Sequence, residues 1–282
     1  MKIIHLLVGA MLGAVIIFNI PTHVAAADTY LKVTKNNFLK TTRQIKTYNS
    51  KKTISMTIPK NTVVQVAGVT TRNKKRYIDL NANQLNYKIR QPLIANNSTT
   101  KWTHWISTNT KNFKRVHKPT YLNFYAINKS YPKGAYRSYV ADGNLWQTTV
   151  WPADPSTQSA ALVQITANGY LEYSQSVNMT SLLAPKPTDS LQIQKATYSV
   201  NNGKLDLYFK TKPKFAETTR INKKGNNRYR LVIKRLFAYT ATPITATNEP
   251  TNISKIEIGS RYQIGKTNYL MHLGTAEIKS KY

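Results

Sequence analysis

Residues 54–87, ISMTIPKNTVVQVAGVTTRNKKRYIDLNANQLNY, decide the fold class. Ile54, Met56 and Ile58 alternate with Ser55 and Thr57, the period-two pattern of a half-buried strand. Pro59 has no N–H to give a sheet ladder, so that strand stops there. Thr62 to Val69 (TVVQVAGV) is the most β-branched run in the chain and predicts a buried strand. Thr70 to Arg76 is a polar, cationic tip, after which Tyr77, Asp79 and Leu80 lead back and Leu85-Asn86-Tyr87 closes the unit. The stretch reads as four short strands joined by tight turns, and it specifies a fold more clearly than an activity.

Tyr48, then Ile58-Pro59-Lys60-Asn61-Thr62-Val63-Val64-Gln65-Val66, then Lys75-Arg76-Tyr77-Ile78-Asp79-Leu80 resemble a bacterial SH3-like domain. More narrowly, they are similar to wall-associated modules of secreted Lactobacillus-type proteins, with the best match over about residues 30–93. In that family a strand, an I-P-K-G-T turn, a basic hairpin and a final aromatic build a small barrel. Here Asn61 stands in place of the glycine, and asparagine also tolerates a left-handed turn. The resemblance implies a small barrel that attaches to cell-wall polymer, and it implies no catalysis. A generic small β-barrel is the plainer reading, because a fold does not fix a function.

The first 27 residues are read as a targeting segment. Lys2 precedes an apolar run from Ile3 to Ile20, and Pro21 and Ala25-Ala26-Ala27 follow. That order of charge, apolar core and small residues is the pattern of a secretory signal peptide, with Asp28 the expected first mature residue. An uncleaved anchor is the alternative, since the run nearly reaches spanning length. Cysteine is absent, which excludes disulfides, thiolate metal sites and a catalytic cysteine. The sequence has neither an L-P-x-T-G motif nor an apolar C-terminal tail, so wall retention is expected to be non-covalent.

Charge is the strongest global feature: 41 Lys and Arg against 11 Asp and Glu, a net +30. Residues 28–98 carry 14 basic and 2 acidic side chains (+12), residues 99–190 carry 9 and 4 (+5), and residues 191–282 carry 17 and 5 (+12). The excess is spread over the fold rather than gathered in a tail, which argues against a disordered basic arm. Such a surface binds polyanions through many weak, salt-sensitive contacts. Outside a bacterium these are teichoic acids, anionic lipids and host glycosaminoglycans. An export signal argues against nucleic acid. High charge serving solubility alone is the bland alternative.

Three segments are expected after the targeting stretch. Residues 28–98 form the SH3-like unit, ending in the breaker-rich Asn96 to Thr100. Residues 99–187 hold all four tryptophans and form either an independent β module or a diverged SH3-like copy. That second possibility rests on Lys111-Asn112-Phe113 with Tyr121 to Tyr125, which echo Asn36-Asn37-Phe38 with Ile45 to Tyr48. Asp142-Gly143 and Asn168-Gly169 between alternating arms signal hairpins, and Pro155 to Ala161 is read as opening a short helix. Pro185-Lys186-Pro187 marks the second boundary. Residues 188–282 form a basic β module with turns at Asn202-Gly203 and Lys224 to Asn227, closing strands at Ile253 to Ile258 and Tyr269 to Leu273, and a loop over Pro243 to Asn252. Nothing reads as a clear helical period, so the class is all-β: an SH3-like small barrel followed by one or two further antiparallel β modules.

No catalytic constellation can be assembled. His104, His117 and His272 are isolated in sequence, without a second histidine or carboxylate at metal spacing. No serine lies in a G-x-S-x-G elbow, and no glycine-rich phosphate loop exists. We therefore expect no catalytic residues, no metal and no cofactor. Binding candidates are clearer. Trp102 and Trp105 beside the first boundary offer indole faces for sugar stacking. Trp146 and Trp151, five apart, would face opposite sides of an unbroken strand, with at least one in the core. Arg72, Lys74, Lys75 and Arg76 crowd one hairpin, and Lys223, Lys224, Arg228 and Arg230 crowd another. Arg228 and Arg230 would share a strand face, although lysines on edge strands also simply block pairing.

The resulting expectation is a secreted, non-catalytic surface protein, extracellular or non-covalently wall-associated, with no membrane span once the signal is removed. Its expected partner is an anionic cell-wall polymer of the teichoic acid type or another acidic glycan. Alternatives are an adhesin or effector for host glycans or matrix, a wall hydrolase with an unfamiliar site, and a surface-layer subunit.

Overall fold

A computed structural model describes residues 29–96, 101–125, 143–236, 240–244 and 253–279. Residues 1–28, with the expected targeting segment, and Asp142 of the expected Asp142-Gly143 turn lie outside the described residues. Strand accounts for 48% of the chain and helix for 8%, which makes the protein all-β.

The first unit begins with β1 (Phe38–Thr41), β2 (Ile45–Tyr48), β3 (Ser55–Ile58), β4 (Val63–Arg72) and β5 (Lys75–Leu80). Strands β2 and β3 form a hairpin with Ile45 opposite Ile58, and both side chains point inward. Its loop is closed by Asn49, whose Oδ1 accepts the N–H groups of Thr53 (2.8 Å) and Ile54 (3.1 Å). Asn61 takes the left-handed turn expected of it, with φ +67°. The cationic tip joins β4 to β5 through Asn73 and Lys74, with φ of +48° and +62°. Two positive-φ residues in a two-residue loop match the twist of the flanking strands. Leu39, Ile58, Val64, Val66, Ile78 and Leu80 are fully buried beneath these strands.

The chain then departs from the expected path in two ways. Where Leu85-Asn86-Tyr87 was expected to close the unit, Tyr87–Ala95 forms a helix, α1. Its inward positions are Ile89, Arg90, Leu93 and Ile94, so a buried arginine interrupts the apolar stripe that would have betrayed it. The sheet also continues beyond residue 98. Strand β6 (Ile106–Ser107) pairs with β5, and β7 (Phe113–Val116) pairs with β1, giving a five-stranded order β6-β5-β4-β1-β7. The Lys111-Asn112-Phe113 echo thus leads into an edge of the first sheet, and Tyr121 to Tyr125 lie in a 3₁₀ turn (Thr120–Tyr125).

The second sheet contains β8 (Leu145–Trp146), β9 (Ser159–Ile165), β10 (Tyr170–Asn178), β11 (Asp189–Gln192), β12 (Lys195–Ser199) and β13 (Lys204–Phe209). It is completed by β14 (Thr219–Arg220), β15 (Tyr229–Arg235), β16 (Thr240–Ile244), β17 (Ile253–Ile264) and β18 (Thr267–Lys279). The order is β11-β10-β9-β8-β18-β17-β15-β13-β12, with β14 on β15 and β16 on β17. Gly169 and Gly203 turn the two Asn-Gly hairpins with φ of +82° and +55°. Ser159 opens a strand where a helix was expected, and Pro243 lies in β16 rather than in a loop. The sheet runs across Pro187, since β10 pairs with β11 and Trp146 with Leu270. Among the described residues neither large sheet closes on itself. Among the described helices none is long and apolar enough to cross a membrane.

One face of the second sheet carries Val163, Leu171, Leu207, Leu231, Ile264 and Met271 into a core shared with Leu122 and Phe124 of the 3₁₀ turn. Phe38 of β1 enters the same core, and Tyr262 donates its hydroxyl to the Phe124 carbonyl (3.0 Å). Burial pushes the Tyr262 phenol well above its ordinary range. Over β9 and β10 the opposite face is covered as well, by residues 83–90 of the first unit. Arg90 donates from Nη1 to Glu172 Oε2 (2.7 Å) and to the Leu85 carbonyl (2.5 Å), and from Nε to the Ala184 carbonyl (3.2 Å). Glu172 Oε1 accepts from the Tyr87 N–H (2.6 Å) and the Ser190 hydroxyl (3.1 Å). Asn86 and Asn168 exchange bonds of 2.9 and 3.0 Å, and Asn83 Oδ1 accepts the Ala184 N–H at 3.0 Å. This buried polar clasp fixes the two sheets against each other.

Candidate binding strip on the first unit

Residues 101–107 (KWTHWIS) return to the first unit as a strip laid between the separate β2–β3 hairpin and the β4–β5 hairpin of the five-stranded sheet. Trp102 bridges to Asn81, Thr103 bridges to Asn49, and Ile106 pairs with Ile78. The buried Thr103 hydroxyl accepts the Leu80 N–H (2.8 Å), and the His104 N–H donates to the Tyr48 carbonyl (2.7 Å). These bonds pin the backbone of the strip and set its aromatic side chains beside the cationic hairpins.

The Arg72 guanidinium lies over the Trp105 ring at 6.0 Å, and Lys101 Nζ lies over Trp102 at 5.3 Å. Trp102 is 37% exposed and Tyr48 38%, so each presents ring surface to solvent. Trp105 is more enclosed. Its ring edge stands 3.4 Å from where a Cβ at residue 68 would lie, with Asp79 Oδ2 at 3.6 Å, so Gly68 leaves the floor on which the indole rests. Ala67 is the extra residue of a bulge at this point in the β4–β5 register. Partial burial, with the nearby charges of Lys52 and Arg72, holds the His104 imidazole below its ordinary range. Burial pushes the Asp79 carboxyl up to about 6.

Of the sequence candidates, Arg72, Trp102 and Trp105 thus belong to this strip, while Lys74 and Lys75 are exposed at the hairpin tip just beyond it. Arg76 is half-buried, and its carbonyl accepts from the Thr108 N–H (2.9 Å). Lys223, Lys224, Arg228 and Arg230 are on the other sheet. Lys223 and Lys224 are exposed on the β14–β15 loop, Arg228 lies 5.7 Å over the Tyr229 ring, and Arg230 pairs with Tyr208. Tyr48, Lys52, His104 and Asp79 join the strip without having been named as binding candidates. Nothing local in the sequence marks Tyr48 or Lys52 as neighbours of residue 104, because the long return of the chain creates that proximity.

His272 is not isolated in space. The β17–β18 register sets it in hydrogen-bonding contact with Glu257, and its ring stacks on Trp151 (4.0 Å, 4° between planes). Trp146 meets Trp151 edge-on at 6.1 Å, because β8 ends at Trp146 and the chain turns before residue 151. The two tryptophans therefore lie in one cluster rather than on opposite faces. Burial pushes the imidazole down to about 3. Among the described residues no group of three or more His, Asp or Glu could hold a metal ion. The chain matches no protein-family model, no curated protein and no solved structure.

Proposed function

We propose that this is a non-catalytic binding protein, exported and held at a Gram-positive surface, that grips anionic wall polymer of the teichoic acid type along the 101–107 strip. The reading rests on one observation above the others: two tryptophans on one short strip each carry a cation on the ring, Arg72 on Trp105 and Lys101 on Trp102. The likeness of residues 30–93 to wall-associated SH3-like modules and the net charge of +30 point the same way. Sugar rings of the polymer stack on the exposed faces of Trp102 and Tyr48, while Arg72 and Lys52 meet its phosphates. Arginine suits this role because its planar fork can lie on an indole and still donate outward.

The polymer's repeating charge makes the binding multivalent and salt-sensitive. Counting Arg72, Lys52 and the tip residues Lys74 and Lys75, about four cation–phosphate contacts correspond to roughly a 600-fold loss of affinity per tenfold rise in salt, taking about −0.7 per contact for a flexible chain. Isothermal titration of the full chain with purified glycosylated poly(glycerol phosphate), whose glycosyl groups supply the sugar rings, tests the reading. Trp105→Ala and Arg72→Ala should each weaken binding, by about tenfold, with near-UV circular dichroism otherwise preserved. Unchanged affinity in both variants would remove the strip from the account.

A further inference from the structure

The second sheet has one face in the core, and the opposite face is covered over only part of its width. Over β9 and β10 it carries Gln164 and Glu172, buried under the first unit. Over β8, β17 and β18 it carries Trp146, Glu257 and His272, packed with Trp151. Following the registers across, the same face continues through Gln263 and Lys234 to Lys204, and through Arg230 to Tyr208 and Lys195. Among the described residues nothing covers this third part: Lys195, Thr197, Ser199 and Lys234 are all exposed.

The composition of that area is one-sided. Lys204 and Lys234 are direct cross-strand partners, an unfavourable like-charge pair unless an anion lies between or above them. The single acid among them, Asp206, stands 3.4 Å from Lys204 Nζ and cannot neutralise the rest. Lys195 lies 5.5 Å over the Tyr208 ring, and Arg230 stands opposite Tyr208 across the strand pair. With strands about 4.8 Å apart and residues rising about 3.3 Å, these cations spread over roughly 10 by 13 Å. They diverge over three strands, so they form no cage for a single small anion. Nor does the area offer the buried aromatic or aliphatic anchor that a protein partner needs. An extended, flexible polyanion fits both properties.

We infer that the uncovered face of β12, β13 and β15 is a second docking surface for anionic wall polymer, so that one molecule holds two polymer chains. This rests on the proposed function and adds a separate surface to it. Because the Arg90–Glu172 clasp joins the two units, the surfaces keep a fixed relation, and the protein acts as a cross-linker instead of a simple coat.

Light scattering of the full chain mixed with poly(glycerol phosphate), alongside calorimetric stoichiometry, distinguishes the possibilities. The wild type should raise scattering at intermediate ratios and bind two polymer segments. Lys195→Ala with Lys234→Ala, both at exposed positions, should bind one segment, abolish scattering and lower the salt slope by about 1.4. Arg72→Ala with Trp105→Ala should also abolish scattering while retaining one segment. A wild type that binds no polymer overturns the proposed function itself. A wild type that binds, with scattering unchanged in the Lys195/Lys234 variant, overturns only the second surface. If that variant loses heparin or RNA binding but keeps wall-polymer stoichiometry, the surface exists but the inferred occupant is wrong.

Discussion

Replacing Arg90 with alanine should destabilise the whole molecule, not just α1. The arginine is fully buried and Glu172 is 2% exposed, so neither group has water to fall back on. Alanine would strand the Glu172 carboxylate with two donors, the Tyr87 N–H and the Ser190 hydroxyl, and orphan the Leu85 and Ala184 carbonyls. Removing one partner of a buried pair costs about 3–5 kcal/mol. With a urea m-value of about 3 kcal/mol/M, the midpoint falls by about 1–1.7 M. Replacing both charges, Arg90→Met with Glu172→Leu, leaves the Leu85 and Ala184 carbonyls and the Tyr87 N–H unpaired, while the exposed Ser190 hydroxyl turns to water. At roughly 1 kcal/mol for each of the three affected groups, the double variant should be no less stable than the single one. The assay is urea unfolding followed by both far-UV circular dichroism and tryptophan fluorescence. A loss under about 1 kcal/mol for Arg90→Ala would refute the clasp. So would two separate transitions in the wild type, since the clasp requires the sheets to unfold together.

Other expectations are more local. Because folding raises the Asp79 carboxyl from 3.8 to about 6, the folded state holds the extra proton between those values. Its contribution to stability is therefore fullest below about pH 4, falls as pH rises to about 6 and is flat above. Asp79→Asn should remove that slope and raise stability at pH 7, read from urea midpoints against pH; a variant curve parallel to the wild type would contradict the burial of this carboxyl. His272→Ala removes the ring stacked on Trp151 and its hydrogen-bonding contact with Glu257, costing about 2–4 kcal/mol. The lost stack should also shift tryptophan emission, and an unchanged spectrum would mean that His272 and Trp151 do not stack. Gly169→Ala forces alanine to φ +82° with Tyr121 Oη 3.3 Å from the new Cβ, so it should cost about 1–2 kcal/mol by thermal unfolding, and no loss would refute that turn geometry.

The parts of the fold legible in the sequence were those fixed by neighbours along the chain. Asn168-Gly169 and Asn202-Gly203 declare their turns because few residues accept positive φ. The Ile54 alternation and the TVVQVAGV run become β3 and β4 for equally local reasons. Helix α1 stayed hidden because Arg90, which looks like a surface residue, faces inward to meet Glu172 82 residues away. Of the candidate strip, the basic tip and the two tryptophans could be read separately. Their meeting could not, because it depends on residues 101–116 returning to edges of the first sheet. The His272–Glu257 contact and the charged face of β12, β13 and β15 likewise arise from strand register, which short-range patterns do not encode.

Co-sedimentation of residues 28–282 with purified Gram-positive walls, before and after teichoic acid removal and across a salt series, decides whether the protein grips this polymer. Binding should need the teichoic acid and weaken steeply with salt. Binding that survives both its removal and concentrated salt, or no binding to intact walls, would contradict the proposed function.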